Sequence, residues 1–564
     1  MDVDSSAISL SVLLPLLAIL ISAPPLSSAA AGVHGNFLRC LSLHGSSTSI
    51  STLTYTPANS SYASVLHFPV SNRRFLQPTT PRPLVIVTPT QESHVQHALV
   101  CARRHGLQVR VRSGGHDYEG LSSVAHAPFV VIDLFRHRSI HVDVKARTAW
   151  VQTGATNGEL YYSIGTRSRT LGFPAGVCPT VGVGGHISGG GWGTLMRRYG
   201  LASDNVIDAR IVDAEGRILD RASMGEDLFW AIRGGGGGSF GIVLAWKLNL
   251  VPVPSVVTVF TVNVTGEEGV TRLLHRYQYV ADRLPKELFI RIAVTTTNST
   301  AGSAPVIRAM FRSLFLGRLR DLLPLMRQRF PELGLKEEQC REMRWFESVL
   351  YFSEFGNGNT FRDLLNRTHP LRAFNKAKSD YVTQPLPESA FSGMWKMFYQ
   401  LEAGVPTVYL TPYGGRMSEI PATATPYPHR AGNLYQFQYV VVWGEDGEAS
   451  YKRHMEWIRR LYAFMEPYVS RFPRAAYVNY RDLDIGTNNP SGRTSYEQAS
   501  VWGEKYFNTN FQRMAKVKTR VDPGNFFRNE QSVLSPEQLR RSGKTVQINV
   551  RCSFFILAAM NFNK

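Results

Sequence analysis

Five cysteines in 564 residues are too few for a disulfide-built scaffold. None stands in CxxC or paired Cys/His spacing, so no metal site is expected, although one structural bridge remains compatible. Long hydrophobic runs are equally scarce. The one strong apolar stretch, Leu10 to Ile21, is about 12 residues against the roughly 20 that span a bilayer, so no transmembrane anchor is expected. Its length suits a signal-peptide core, and it runs into Ala29, Ala30 and Ala31. The reading is a signal peptide at 1–31 and a secreted protein, although Asp2 and Asp4 occupy the usual place of basic residues. No GxxxxGK[ST] is present, which disfavours a nucleoside triphosphatase. No repeat of 20 to 50 residues is apparent, which argues against solenoids and propellers. Acidic residues are in deficit: 43 Asp and Glu against 62 Lys and Arg give a net charge of +19. Residues 1–30 hold two Asp and no Lys or Arg, so removing them raises it to +21. Such a field attracts any polyanion. The basic residues are dispersed, with short pairs such as Arg103-Arg104, Arg197-Arg198 and Arg540-Arg541. No nucleic-acid module accompanies them, so an acidic extracellular matrix is the expected polyanion and nucleic acid is not.

What is present reads as an α+β pattern. PLVIVTPT at 83–90 suggests a buried strand, ESHVQHALVCARRHG at 92–106 a helix, and LQVRVRSGG another strand. FVVIDL, HVDVKARTAWVQTG and NVIDARIVDAEGRILD continue as strands broken by turns. A domain boundary is placed at the Pro-rich 251–255, followed by strands and then helices around 301–330 and 451–464. Asn59, Asn263, Asn298 and Asn366 each precede a Ser or Thr by two positions, as glycosylation in a secretory compartment requires.

Two glycine-rich segments carry the chemistry: RSGGHDYEG (112–120) and GVCPTVGVGGHISGGGWG (176–193). Glycines without Cβ let backbone amides approach a pyrophosphate and form an anion-binding concavity. A third run, RGGGGGSFG, holds Gly236, Gly238 and Gly241 at GxGxxG spacing, a weak match inside polyglycine. By composition alone His116 is a structural histidine, Cys178 a small buried hydrophobe, and a Cys/His nucleophilic pair the sharper alternative.

These segments, together with VDAEGRILDR (212–221), SMGEDLFWAIRGGGGGSFGIV (223–243), YVNYRDLDIG (477–486) and WGEKYFNTNFQRMAKVKTRVDPGNFFRNEQS (502–532), resemble the plant berberine bridge enzyme-like family from about Asn36 to Ser535. The resemblance implies a flavoprotein of the vanillyl-alcohol-oxidase type. Its two-part FAD-binding domain, of PCMH type, would comprise 32–253 (core about 78–253) and a returning segment at 477–540. A central α+β substrate domain at 254–476 would be an antiparallel sheet covered by helices, and 541–564 a divergent tail.

It further implies FAD held by two bonds, from His116 to the flavin 8α carbon and from Cys178 to C6. Arg112, Ser113, Gly114, Gly115, Val181, Gly182, Gly185, His186, Gly189, Gly190, Gly191 and Ile242 would surround the cofactor. Cys40 and Cys101 match the family's disulfide, which leaves Cys340 and Cys552 unassigned. Tyr480 matches the tyrosine proposed as base, a poor one at neutral pH unless donors or cations stabilise its phenolate. Tyr118 and Gln438 match residues that line the substrate side. Tyr477 either joins this cluster or is ordinary aromatic packing, and packing is the favoured reading. Two departures stand out. Gln436 replaces a lysine of some alcohol-oxidising members, and Trp192 replaces Tyr or Phe. Val181 matches the position tied to oxygen access and resembles the oxidases.

The expected activity is oxidation of an alcohol, oligosaccharide or phenolic substrate with oxygen reduced to hydrogen peroxide, in the cell wall or apoplast, with the vacuole as the other destination. The competing readings are a dehydrogenase using another acceptor and a secreted glycoprotein that acts by binding.

Overall fold

The computed structural model describes residues 28–43, 50–298, 304–353, 360–369, 372–489 and 494–533. Most of the expected signal peptide, Cys552 and the tail at 541–564 lie outside the described residues.

Three sheets carry the architecture. In the first, Val85–Val87 and Gln108–Arg112 run parallel to Phe129–Asp133 on either side of it, and Thr54–Tyr55 closes one edge antiparallel. Helix Glu92–Arg104 packs Val95, Ala98, Leu99 and Ala102 into this core. The apolar strand runs of this segment thus become strands buried on both faces. Cys40 and Cys101 are disulfide-bonded, Cα atoms 5.8 Å apart, tying helix Ser28–Leu43 to that helix. The second sheet is antiparallel, ordered Ile140–Asp143, Thr148–Gln152, Ile242–Asn249, Val206–Val212, Ile218–Leu219.

The third sheet has seven antiparallel strands: Cys340–Met343, Val257–Thr265, Pro305–Phe315, Leu288–Asn298, Val405–Pro412, Tyr435–Trp443 and Phe374–Val382. Helices Glu267–Tyr277, Glu388–Phe398 and Glu448–Met465 cover one face, where Phe391, Trp395, Trp457 and Ile458 join a buried cluster. The helix expected around 301–330 is here a correction: Pro305–Phe315 is a strand and only Leu319–Arg329 is helical. Ile307, Ala309, Phe311 and Ser313 are buried while Arg308, Met310 and Arg312 are half-buried, a period of two that sides with the sheet.

The chain then returns to its beginning. Helix Asn510–Val521 lies on Arg221–Ile232, with Arg513 and Arg520 both bonded to Asp227. Lys518 donates to the Ser239 carbonyl and pairs with Asp522, both fully sequestered. Phe527 completes the core of the first sheet, and Arg110 pairs with Glu530 at 2.8 Å. Where the three parts meet, Lys376 bonds to Glu119 and lies 2.7 Å from Asp482, and Lys378 also reaches Asp482 at 2.7 Å.

Candidate active site

Between the glycine loops and the seven-stranded sheet lies a cavity of about 510 Å³. Its wall is supplied by both glycine segments, by 236–241, by strand residues of the sheet and by the returning segment at 477–481. The two loops touch back to back. A Cβ built on Gly114 would stand 2.2 Å from the amide nitrogen of Gly182, so the contact requires glycine. Gly185 is different: a Cβ there would meet nothing within 4 Å, and its bare backbone faces the cavity. Gly236 and Gly238 have φ of 86° and 79°. Their loop follows helix Arg221–Ile232 and leads into strand Ile242–Asn249, the reverse of a strand-to-helix dinucleotide fingerprint. Bare amides along one wall and aromatic groups at the other fit a dinucleotide carrying a planar ring.

His116 and Cys178 line the same cavity. His116 Nε2 lies 3.0 Å from Thr180 Oγ1, and the ring packs 4.4 Å from that of His369. Burial, reinforced by His369, pushes the His116 pKa down to about 3, so its imidazole is neutral and one ring nitrogen keeps its lone pair. Ser113, Gly114, Gly115, Val181, Gly182, His186 and Ile242 also line the cavity. His186 accepts from the Gly176 amide at 2.9 Å and is held neutral by burial, its pKa down to about 4.

Four expected cofactor residues are placed behind this wall instead. Arg112 is spent on a buried ion pair with Asp133 at 2.8 Å and on the carbonyls of Leu66 and Val65. Gly189 packs on Asn479, Gly190 on Leu201 and Tyr427, and Gly191 donates its amide to the Tyr477 hydroxyl at 2.9 Å.

At the other end stand the expected substrate-side groups. The Tyr480 hydroxyl accepts from Trp192 Nε1 at 2.9 Å, and its ring meets Tyr118 edge-on at 5.8 Å. Gln438 Nε2 donates to the Tyr118 hydroxyl at 2.8 Å and its oxygen accepts from Arg291 at 3.3 Å. The Arg291 guanidinium lies 4.0 Å from the Tyr409 ring and 4.9 Å from Trp192. Burial raises the Tyr480 pKa well above 10, while Arg291 and the Trp192 hydrogen bond oppose that rise. At Trp192 the indole N–H supplies a donor to the phenol. Gln436 sits outside the cavity, donating to Tyr381 at 2.9 Å. The cation near Tyr480 is Arg291, on a strand where sequence reading singled out nothing. His369, equally unforeseen, stands as a single histidine in a polar loop without any pattern to mark it. Tyr477 lines the cavity too, its hydroxyl accepting from Gly191 and Asn479. The expected glycosylation sites Asn59, Asn263 and Asn366 are exposed.

A hydroxyl-bearing substrate held by Gln438 and the two tyrosines would stand beside a base and opposite the cofactor loops, an arrangement suited to oxidising a C–H/O–H unit. These features define an FAD-binding oxidoreductase whose cofactor domain is closed by a returning segment. The family described as FAD binding domain matches residues 83–221, and that described as berberine and berberine like matches 476–534. The chain is 51% identical over 516 residues to berberine bridge enzyme-like 18 of Arabidopsis thaliana, covering 91% of this chain and 95% of the relative. It is also 51% identical to a tetrahydroberberine oxidase of Berberis wilsoniae, covering 89% and 94%. Among solved structures, BBE-like #28 from Arabidopsis thaliana superposes with a TM-score of 0.84 at 48% identity, covering 89% and 100%. The grass pollen allergen Phl p 4 does so at 0.82 and 45%, covering 88% and 99%. Wild-type Phl p 4 is described as a glucose dehydrogenase, and its single Ile-to-Val variant as a glucose oxidase. The chain belongs to the berberine bridge enzyme-like family.

Proposed function

We propose that this protein is a secreted oxidase of an alcohol or sugar carbon, with FAD bonded through both His116 and Cys178. When bound, FAD supplies a hydride acceptor at N5 and returns the two electrons to oxygen, giving hydrogen peroxide. The observation that carries the reading is Tyr480 hydrogen-bonded to Trp192 in the same cavity as His116 and Cys178. Tyr480 takes the substrate hydroxyl proton as the adjacent C–H bond breaks. Arg291 and the Trp192 N–H favour its phenolate, and Gln438 with Tyr118 orients the hydroxyl.

The neutral His116 has a lone pair with which to bond carbon, and Thr180 holds its Nε2. Val181, on the cavity wall near Cys178, supports the oxidase over the dehydrogenase reading. In Phl p 4 one methylene, Ile against Val, accompanies that same distinction. The domains run 32–253, 254–476 and 477–540, and the destination is the apoplast. The test is a panel of cellulose- and pectin-derived oligosaccharides beside coniferyl alcohol, scored by flavin bleaching without oxygen and peroxide release with it. No bleaching with any member would overturn the oxidation reading, and bleaching without peroxide would favour a dehydrogenase.

A further inference from the structure

One histidine of the cavity wall takes no part in the oxidation proposed above. His369 follows the turn Phe361–Leu365, is buried, and packs its ring 4.4 Å from that of His116 with 51° between the planes. Its Nε2 lies 3.0 Å from the Pro69 carbonyl oxygen. A carbonyl can only accept, so Nε2 carries the ring proton. Burial, joined by Arg372, lowers the His369 pKa against that hydrogen bond, and the ring is neutral. Its Nδ1 is therefore a bare lone pair, and no hydrogen bond occupies it among the described residues. The loop that carries it is stapled to the cofactor domain. Arg372 donates to the Phe68 carbonyl at 2.7 Å, Asn72 bridges to Ala373, and a Cβ built on Gly115, next to His116, would stand 2.6 Å from the Pro69 oxygen. Other acceptors of the cavity wall are committed elsewhere. His186 spends its lone pair on the Gly176 amide, and Asp117 accepts from the Glu119 and Leu121 amides and lies 3.7 Å from Arg481.

We infer that His369, a residue of the substrate domain, is the base for forming the bond between His116 and the flavin, and that it serves this attachment and not the one at Cys178. This rests on the double attachment proposed above. Forming the bond requires two protons to leave. A C–H bond of the flavin's 8α methyl group breaks, the His116 lone pair becomes the new C–N bond, and the N–H of His116 is given up so that the imidazole ends neutral. The electron pair of the C–H bond passes into the flavin ring, from which oxygen removes two electrons as hydrogen peroxide. His369 Nδ1 takes the proton from carbon. The proton at His116 Nε2 leaves by way of Thr180 Oγ1, 3.0 Å away, and both protons end in the peroxide. Retaining the second proton would leave a buried imidazolium, the state that burial opposes at His116.

The test maps flavin by peptide mass in the wild-type protein and in His369→Ala and His369→Phe. Wild type should carry flavin on both the His116 and the Cys178 peptides. Each variant should keep it on Cys178 and form the His116 bond about a hundredfold more slowly, the contribution of one positioned base. His369→Phe keeps a ring against His116, so a loss there reports the missing lone pair and not missing packing. Purified His369→Ala is then held with imidazole, or with pyrrole, which has a ring of the same size and no basic nitrogen. Imidazole should restore the His116 bond, bleaching the flavin without any substrate when oxygen is absent and releasing an equivalent of peroxide when it is present. Pyrrole should do neither. A His116 bond formed at the wild-type rate in either variant, flavin lost equally from both peptides, or rescue by pyrrole as good as by imidazole would overturn the inference. Wild type without flavin on His116 would sink the double attachment and this inference with it, whereas both bonds in wild type and in the variants would sink the base alone.

Discussion

Trp192→Phe isolates the donor that the structure gives Tyr480. The substitution keeps an aromatic ring against Phe289, whose ring lies 6.5 Å away, and removes only the indole N–H. A hydrogen bond to a charged acceptor contributes about 1.5–3 kcal/mol, which corresponds to roughly 1 to 2 pH units in the phenol's pKa. Because burial already raises that pKa well above 10, the reactive phenolate is a minority at neutral pH, and kcat/KM should climb about tenfold per pH unit. Losing the donor raises the pKa further. The variant should show the same slope displaced to higher pH, and at any pH on the slope it should run about tenfold to a hundredfold slower. The assay is single-turnover flavin bleaching from neutral to strongly alkaline pH, with whichever substrate the panel identifies. A profile that stays in place, or a loss confined to KM, would refute the role given to Trp192 and with it Tyr480 as base.

Other expectations follow the same geometry. His429 is buried with Nε2 3.0 Å from the carbonyls of Ala476 and Tyr506, and burial lowers its pKa from 6.5 to about 3. The unfolded chain therefore takes up this proton first as pH falls, so its stabilising effect is complete above 6.5 and diminishes below it, by about 2 kcal/mol near pH 5. His429→Gln should flatten that part of the Tm-against-pH curve. Opening the Cys40–Cys101 bridge, which spans 61 positions, by Cys101→Ser should cost about 4 kcal/mol in denaturant unfolding. Lys376→Met leaves Glu119 and Asp482 without their shared cation, and a loss of about 3–5 kcal/mol is expected by the same measurement.

The parts of the fold legible in the sequence are those whose local pattern matched their environment. The apolar run at 83–90 forms as a strand, the helix read at 92–106 ends at Arg104, and the strand-like run HVDVKARTAWVQTG folds into two paired strands. Pro305–Phe315 misled because its outward residues include Arg and Met, good helix formers, while the sheet decides their state through long-range pairing. In the site, the glycine loops announced themselves, since close packing of Gly114 on Gly182 demands that composition. Arg291, His369 and the Trp192 contact did not. Each acts through an approach between segments far apart in sequence, and no local spacing encodes which arginine of a strand faces a cavity.

The central claim is the double attachment of FAD, and it is tested most directly by denaturing the purified protein, digesting it and mapping flavin by peptide mass. The account predicts flavin on both the His116 and the Cys178 peptides, lost singly in His116→Ala and Cys178→Ala. Flavin that separates from the denatured chain, or that maps to neither residue, would contradict it.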